Sequence, residues 1–416
     1  MRRCDFFLLF CLTNAPKRER VVDMAINVKK FGGTSVGSIE LIRNIARKLA
    51  SDYHAGDRLV LVVSAMAKTT DELFNLAHGI SQHPSHREMD MLLTAGERIS
   101  MSLLSLALME EGIRSISFTG SQSGIITDSK HGNARILKVK AFRIHEELEK
   151  GKVVIVAGFQ GVSQDKEITT LGRGGSDTSA VALACYLRAE KCEIYTDVDG
   201  VFTADPRIVE KPFLLPRISS DLMLTLSYNG SRVLHPRAVE FAKKYGVDVE
   251  IKSSFTFAPG SLMSTEKPVP IKDNYMEERK IVAIAHKENL LCYMIEINAK
   301  LLETLENWHH EIFKSFVDNG IMELFIENKY VSEIDYLLQQ QSIEVKDKDA
   351  SLAFVVLAGM GLGHDPALIS KVLQLCAPYQ VLRSTNNEQS LELLLPQKYM
   401  KEAVQTLHKA LIEVAV

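Results

Sequence analysis

The stretch TTLGRGGSDTSAVALA, residues 169–184, sets an apolar lead-in, a glycine-rich turn and an alanine-rich run in direct succession. The alanine-rich run reads as helix, so Arg173-Gly174-Gly175-Ser176-Asp177 forms the junction into it. The two glycines lack the Cβ atoms that would keep an anion from main-chain N–H groups. Ser176 or Asp177 is expected to cap the helix, whose positive dipole end then points at the same place. Arg173 and an acid at such an end make a site for a small, charged substrate carrying a phosphoryl group. A Gly-Gly at a helix start is often only a tight turn, so other segments must ask for the same chemistry.

Outward from this junction, short apolar runs alternate with helical patterns through the first 255 residues. The clearest strands are Val28–Phe31, Leu59–Val63, Ile116–Thr119, Val153–Ala157 and Ile194–Thr196. Helices are marked by Leu41, Ile42, Ile45 and Leu49, and by the run from Met101 to Met109. Unbroken apolar strands separated by helices predict an α/β unit with a mostly parallel sheet covered on both faces. Ligands of such sheets bind in loops at the carboxyl ends of strands. Ala258-Pro259-Gly260, with Pro268 and Pro270 close behind, predicts an extended connector. Beyond it, Ile281–Ala285 and Leu291–Ile297 read as two strands joined by a turn at His286–Asn289, with a helix from about Lys300 to Phe316. A second strand–helix–strand unit begins at Leu352–Leu357 and continues through Pro366–Cys376. It carries strands around Val381–Arg383 and Leu391–Leu395 and finishes with the helix Tyr399–Ile412. The expected division is an extension over 1–24, an α/β unit over 25–258, a connector over 259–272, and two α+β units over 273–345 and 346–416.

A chain of 416 residues is too long for one ordinary core. Apolar content of 46% and charged content of 24% are those of a globular protein. Lys plus Arg number 49 against 52 Asp plus Glu, a net charge of −3. That balance offers no overall attraction to nucleic acid or to an anionic membrane. No unbroken apolar run approaches the roughly 20 residues that span a bilayer. Cys4, Cys11, Cys185, Cys192, Cys292 and Cys376 form no C-x-x-C pair. Neither a zinc site nor a disulfide framework is indicated, and a reducing cytoplasm fits best. Arg2-Arg3 and the run Phe6–Leu12 have the outline of a short signal peptide, but Asp5 interrupts it. Met24 sits just before the first convincing strand, which favours an unstructured extension.

Four further segments bear on chemistry. Val28-Lys29-Lys30-Phe31-Gly32-Gly33-Thr34-Ser35-Val36 brings Lys30 to a strand end, where Gly32-Gly33 lets amides approach phosphate oxygens. It is not a Walker A loop, and the H-R-D and D-F-G elements of protein kinases are missing. Val62-Val63-Ser64-Ala65-Met66, continuing to Lys68-Thr69-Thr70, places hydroxyls after a buried strand, although this is also ordinary loop chemistry. Leu92-Leu93-Thr94-Ala95-Gly96-Glu97-Arg98 puts Glu97 at the start of an apolar helix. There it either favours the helix dipole or pairs with a substrate ammonium. Ile194 to Arg207, IYTDVDGVFTADPR, follows a strand with several acids and Arg207, and it misses the ligand register of an EF-hand.

K-F-G-G-T-S-V, V-V-S-A-M, L-L-T-A-G-E, V-A-G-F-Q-G, T-T-L-G-R-G-G-S-D-T, T-D-V-D-G-V-F-T-A-D-P-R and V-L-H-P-R occur here in the order and approximate spacing of the aspartate kinases. On these motifs the region from about residue 26 to Ser254 resembles that family, part of the amino-acid kinase superfamily with its three-layer α/β/α fold. The C-terminal part is similar, more loosely, to the paired ACT regulatory modules of the family. Ala358-Gly359-Met360-Gly361-Leu362 stands where an effector loop would, while Trp308-His309-His310 has no family counterpart.

The resemblance implies transfer of the γ-phosphoryl group of MgATP to the β-carboxylate of L-aspartate. This is the first step toward lysine, threonine, methionine and diaminopimelate. It implies that Lys30 contacts the phosphates, with Phe31, Gly32 and Gly33 beside it, and that Asp177 orients Lys30 and the substrate amine. It implies Arg173 at the substrate α-carboxylate, Glu97 at the α-ammonium, and Ser64, Thr70 and Ser176 completing that pocket. Thr196, Asp197, Phe202, Arg207 and Arg232 map to the nucleotide. Phe202 stands where many members have tyrosine, and Arg232 where lysine is usual. Mg²⁺ is expected on the ATP phosphates with largely water coordination, so no protein ligand is named for it. A lysine or threonine effector and a homodimer or higher homo-oligomer are further implications. Two other readings remain: a kinase for glutamate or acetylglutamate, and a catalytically dead amino-acid sensor.

Overall fold

In the computed structural model, which describes residues 25–265, 280–306 and 312–413, the chain opens on a strand–helix–strand crossover. Its parts are β1 (Ile26–Phe31), α1 (Ile39–His54) and β2 (Arg58–Val63). The strands pair in parallel, from Ile26 opposite Arg58 to Phe31 opposite Val63. Ser38 starts α1 by accepting a hydrogen bond from the Leu41 N–H at 3.3 Å. Ile42, Ile45, Ala46 and Leu49 then form its buried stripe.

Next come α2 (Thr69–Ile80), α3 (His86–Leu93), α4 (Ala95–Glu110), β3 (Ser115–Phe118), β4 (Ile125–Thr127) and β5 (Ile136–Val139). They are followed by α5 (Phe142–Glu149), β6 (Val153–Ala157), β7 (Gln160–Ser163), β8 (Ile168–Thr170) and α6 (Gly175–Leu187). The unit closes with β9 (Lys191–Thr196), β10 (Arg217–Ser219), α7 (Ser220–Tyr228), α8 (Pro236–Tyr245), β11 (Val249–Ser253) and β12 (Ser261–Ser264). The main sheet runs β10-β12-β11-β9-β1-β2-β6-β3, and each pair except β11–β12 is parallel. A small sheet runs β5-β4-β7-β8.

The period of two along β2 divides its side chains between two cores. Leu59, Leu61 and Val63 pack with α1 and α4, while Val60 and Val62 pack with α6 and α8. Three layers result, as the motifs imply. The stretch His86–Glu110 is apolar and long enough by composition to cross a membrane. Within it, Leu104 and Leu108 are fully buried against the sheet, as befits a helix of a covering layer.

Ser261–Ser264, assigned to the connector by the sequence, is β12, antiparallel to β11. The sheet therefore outlasts Pro259-Gly260. Residues 1–24, Pro268, Pro270 and Trp308-His309-His310 lie outside the described residues.

The second unit contains β13 (Ile281–Glu296), α9 (Ala299–Glu306), β14 (Lys314–Asp318), β15 (Ile321–Glu327), α10 (Val331–Gln340) and β16 (Val345–Gly359). It ends with α11 (Pro366–Cys376), β17 (Arg383–Asn386), β18 (Ser390–Pro396) and α12 (Met400–Leu411). One antiparallel sheet, β14-β15-β13-β16-β18-β17, runs through it. The two strands expected over 281–297 are one. Both halves keep β16 as partner, and the expected turn is a register shift between Lys287 and Leu290, with Asn289 at φ +59°. The helix expected up to Phe316 is also corrected, because Lys314–Asp318 pairs with β15. The two halves interleave along the chain: Ile281 and Ile284 join the core of α11, α12 and β18, whereas Leu291, Tyr293 and Ile295 join that of α9 and α10.

The units meet at the chain's last helix. His408 on α12 is fully buried, and its Nε2 lies 2.9 Å from Thr203 Oγ1 in the loop after β9. Ala204 and Val209 of that loop belong to the α11–α12 core.

Candidate active site

β1 ends in Lys29-Lys30-Phe31, and its pleat sends adjacent side chains to opposite faces. Lys29 turns toward α1 and pairs with Asp52 at 2.7 Å and Glu193 at 2.8 Å. Burial would lower its pKa, but the two carboxylates outweigh burial and hold it above the usual lysine value. Lys30 turns toward α6, where its Nζ lies 2.6 Å from Asp177 Oδ1. Of these neighbours, one lysine belongs to the scaffold and the other opens on a cavity.

The helix that carries Asp177 does not start as expected. Its N-cap is Gly174, and no side chain caps it; Ser176 and Asp177 lie inside the first turn. Gly174 has φ +63°, and a Cβ there would fall 2.1 Å from Cγ of His235. The residue must be glycine on both counts. His235 caps α8, accepting from the Arg237 N–H at 3.4 Å, and so packs this turn. Arg237 donates to the carbonyls of Leu171 and Ala134 and to Asn133 Oδ1, which fastens the segment leading to Arg173. Read as a motif, V-L-H-P-R does not reveal this role, since an arginine carries no sign of which carbonyls it will meet.

Asp90 is a second residue whose role the sequence does not reveal. Fully buried, it accepts from Thr170 Oγ1, from the Gly132 N–H at 3.1 Å, and lies 2.7 Å from His131 Nδ1. It ties the end of β8 to the loop 131–132.

Glu97, in the first turn of α4, is 3% exposed. Its Oε1 accepts from the Ala65 N–H at 3.0 Å, while Oε2 is buried with no partner among the described residues. Burial pushes its pKa up to about 7, against the opposing backbone hydrogen bonds. A buried carboxylate with one unanswered oxygen is built to receive a cation.

A cavity of about 930 Å³ gathers these groups. Lys30, Gly33, Ser64, Thr70, Glu97, Arg173, Ser176 and Asp177 all line it. Phe31 and Gly32 do not. The Phe31 ring is fully buried and stacks on Tyr195 at 4.8 Å, which puts it out of a ligand's reach. The Gly32 N–H donates to the Tyr195 carbonyl at 3.2 Å, so that amide is already used.

Thr196 and Asp197 stand at the end of β9, the strand next to β1, Phe202 and Arg207 lie in the segment after it, and Arg232 lies between α7 and α8; none of the five lines the cavity. Thr196 Oγ1 donates to Asp197 Oδ1 at 3.1 Å, and Arg207 clamps Asp205. Phe202 bridges to Leu214, and Arg232 is exposed. Burial first, and then the charges of Arg207 and Arg232, hold the His286 pKa below its usual value, against Asp205 and Glu288. Lys30 and Thr196 thus stand at the carboxyl ends of neighbouring strands, the first of them lining the cavity.

A model of the amino acid kinase family matches residues 25–253. The aspartokinase of Geobacillus stearothermophilus is 42% identical over 407 residues, covering 93% of this chain and 97% of that protein. Among solved structures, E. coli aspartokinase III in complex with aspartate and ADP superposes with a TM-score of 0.78 at 23% identity, over 93% of this chain and 99% of that one. The same enzyme in complex with lysine and aspartate gives 0.70 at 23% identity, with the same coverage. At that identity the two superpositions speak to the fold, and the near full-length sequence match carries the rest. This chain belongs to the amino acid kinase family and, within it, to the aspartokinases.

Proposed function

We propose that the cavity holds L-aspartate and that the group beside β9 holds ATP, with the γ-phosphoryl passing between them at Lys30. An oxygen of the β-carboxylate attacks the γ-phosphorus, the bond to the ADP oxygen breaks, and its electron pair leaves with ADP. No general base is needed, because a carboxylate with a pKa near ~4 is an anion at neutral pH. The difficulty is bringing two anions together, and positioning with charge neutralisation meets it.

Lys30 answers the charge of the transferring group, and Asp177 at 2.6 Å holds its amine in place. Gly33 lets the backbone approach the phosphates. Arg173 takes the α-carboxylate in a two-pronged pair that lysine forms poorly. Glu97 takes the α-ammonium, and Ser64, Thr70 and Ser176 donate to what remains. Thr196, Asp197, Phe202, Arg207 and Arg232 flank the nucleotide. No group of three or more histidine, cysteine or acidic side chains that could hold a metal ion occurs among the described residues. Mg²⁺ is expected on the ATP phosphates with largely water coordination, where it would supply further neutralisation of phosphate charge.

The single observation behind this reading is the unanswered Glu97 oxygen in the same cavity as the Lys30–Asp177 contact. A buried acid awaiting a cation, with Arg173 also lining the wall, fits an amino acid. We also infer an amino-acid effector, lysine or threonine, acting through the second unit, a homo-oligomer, and a cytoplasmic setting. A coupled assay for ADP, offering aspartate and glutamate in parallel, tests the substrate. Turnover with glutamate alone ends this reading. Titrating lysine and threonine, separately and together, tests regulation.

A further inference from the structure

The aspartate cavity is not made by the kinase unit alone. Lys329, Tyr330, Glu333, Tyr336 and Leu337, on α10 and the turn before it, form part of its wall. Two contacts hold them there. Arg173 Nε donates to the Tyr330 hydroxyl at 2.9 Å, with the guanidinium 6.0 Å from the Tyr330 ring centre. Farther along α10, Tyr336 stacks on His83 at 4.1 Å, so the helix touches the cavity on two sides.

We propose that Tyr330 is a positioning residue for the acceptor substrate, orienting Arg173 toward the aspartate α-carboxylate from the second unit. The inference rests on the reading of Arg173 as the carboxylate's partner. Arg173 sits in a glycine-rich turn and is exposed, and a long side chain there loses rotamer freedom when it binds a ligand. A hydrogen bond at Nε removes part of that freedom beforehand. The acceptor is the phenol hydroxyl of Tyr330, an oxygen that can take the Nε–H while the terminal nitrogens stay directed elsewhere. Because Tyr330 belongs to the second unit, a shift of α10 against the kinase unit would change the grip on aspartate.

Steady-state kinetics with MgATP test this in the full-length enzyme. Tyr330→Phe keeps the ring and removes the hydroxyl. It should raise the KM for aspartate between about threefold and tenfold, the loss expected for one hydrogen bond. Both kcat and the KM for ATP should stay within about twofold of wild type. In an Arg173→Lys background Nε is gone, and Tyr330→Phe should then add less than about twofold. An unchanged aspartate KM in Tyr330→Phe overturns the inference, as does a full additional effect in the lysine background or a parallel rise in the KM for ATP. Arg173→Ala separates the two levels: if it leaves the aspartate KM unchanged, the reading of Arg173 itself fails.

Discussion

Lys30 and Asp177 meet at 2.6 Å although they lie far apart in the chain, one at the end of β1 and the other in the first turn of α6. Their side chains are 11% and 13% exposed, so water and salt screen the contact little. Lys30→Ala should cut kcat by about three orders of magnitude, the scale of losing a principal stabiliser of transferring charge. Aspartate should still bind, as isothermal titration would show. A kcat near wild type would dissolve the assignment of roles.

Asp177→Asn keeps the shape of that contact and removes its charge. The expected outcome is a fall in kcat of about ten- to a hundredfold, smaller than for Lys30→Ala, with the KM for aspartate changed as well if the acid also faces the substrate amine. Equal losses in both variants would mean that Asp177 does more than orient.

On its proposed role at the α-ammonium, Glu97 should make aspartate binding pH-dependent. Its pKa of about 7 lies above the ordinary glutamate value of 4.5, and burial is the main cause. The ammonium needs the ionised carboxylate, so affinity should level off as pH rises past about 7 and should fall toward tenfold per unit as pH drops well below it. For folding the sign is opposite to that of a paired acid. The native state holds the proton more tightly than the unfolded chain, so this group costs stability as pH rises from 4.5 to about 7. A plot of log KM for aspartate against pH should bend near 7, and Glu97→Gln should remove the bend.

Gly174→Ala should lower thermal stability by about 1–3 kcal/mol, from a left-handed backbone and a Cβ driven into the His235 ring. His235→Ala introduced alongside frees the space but leaves the backbone strain. The pair should therefore recover part of the loss beyond the sum of single effects. Strict additivity in differential scanning calorimetry would show that the ring contact has no energetic weight.

The catalytic layers were readable because their signals are local. The unbroken apolar runs Leu59–Val63 and Val153–Ala157 announce buried strands, and K-F-G-G and G-R-G-G-S-D mark strand-to-helix turns. Lys30, Glu97, Arg173 and Asp177, each named from such a segment, all line one cavity. What escaped notice depends on distant partners. Arg237 acts through carbonyls 66 and 103 positions away, and Tyr330 meets Arg173 across 157 positions. The single long β13 was also hidden, because Glu288-Asn289 looks like a turn whether or not the flanking strands stay in one sheet. The capping role given to Ser176 or Asp177 failed for a geometric reason: Gly174 already occupies the cap in a conformation those residues would resist.

The buried contact between Thr203 and His408 bears on how this enzyme can be dissected. Ala204 and Val209 rest in a core supplied by the final helices, so a fragment ending after Ser264 would leave two apolar side chains of the loop after β9 in water. The two units thus share a core at that seam, and a truncated kinase should be less stable than the full chain in thermal denaturation.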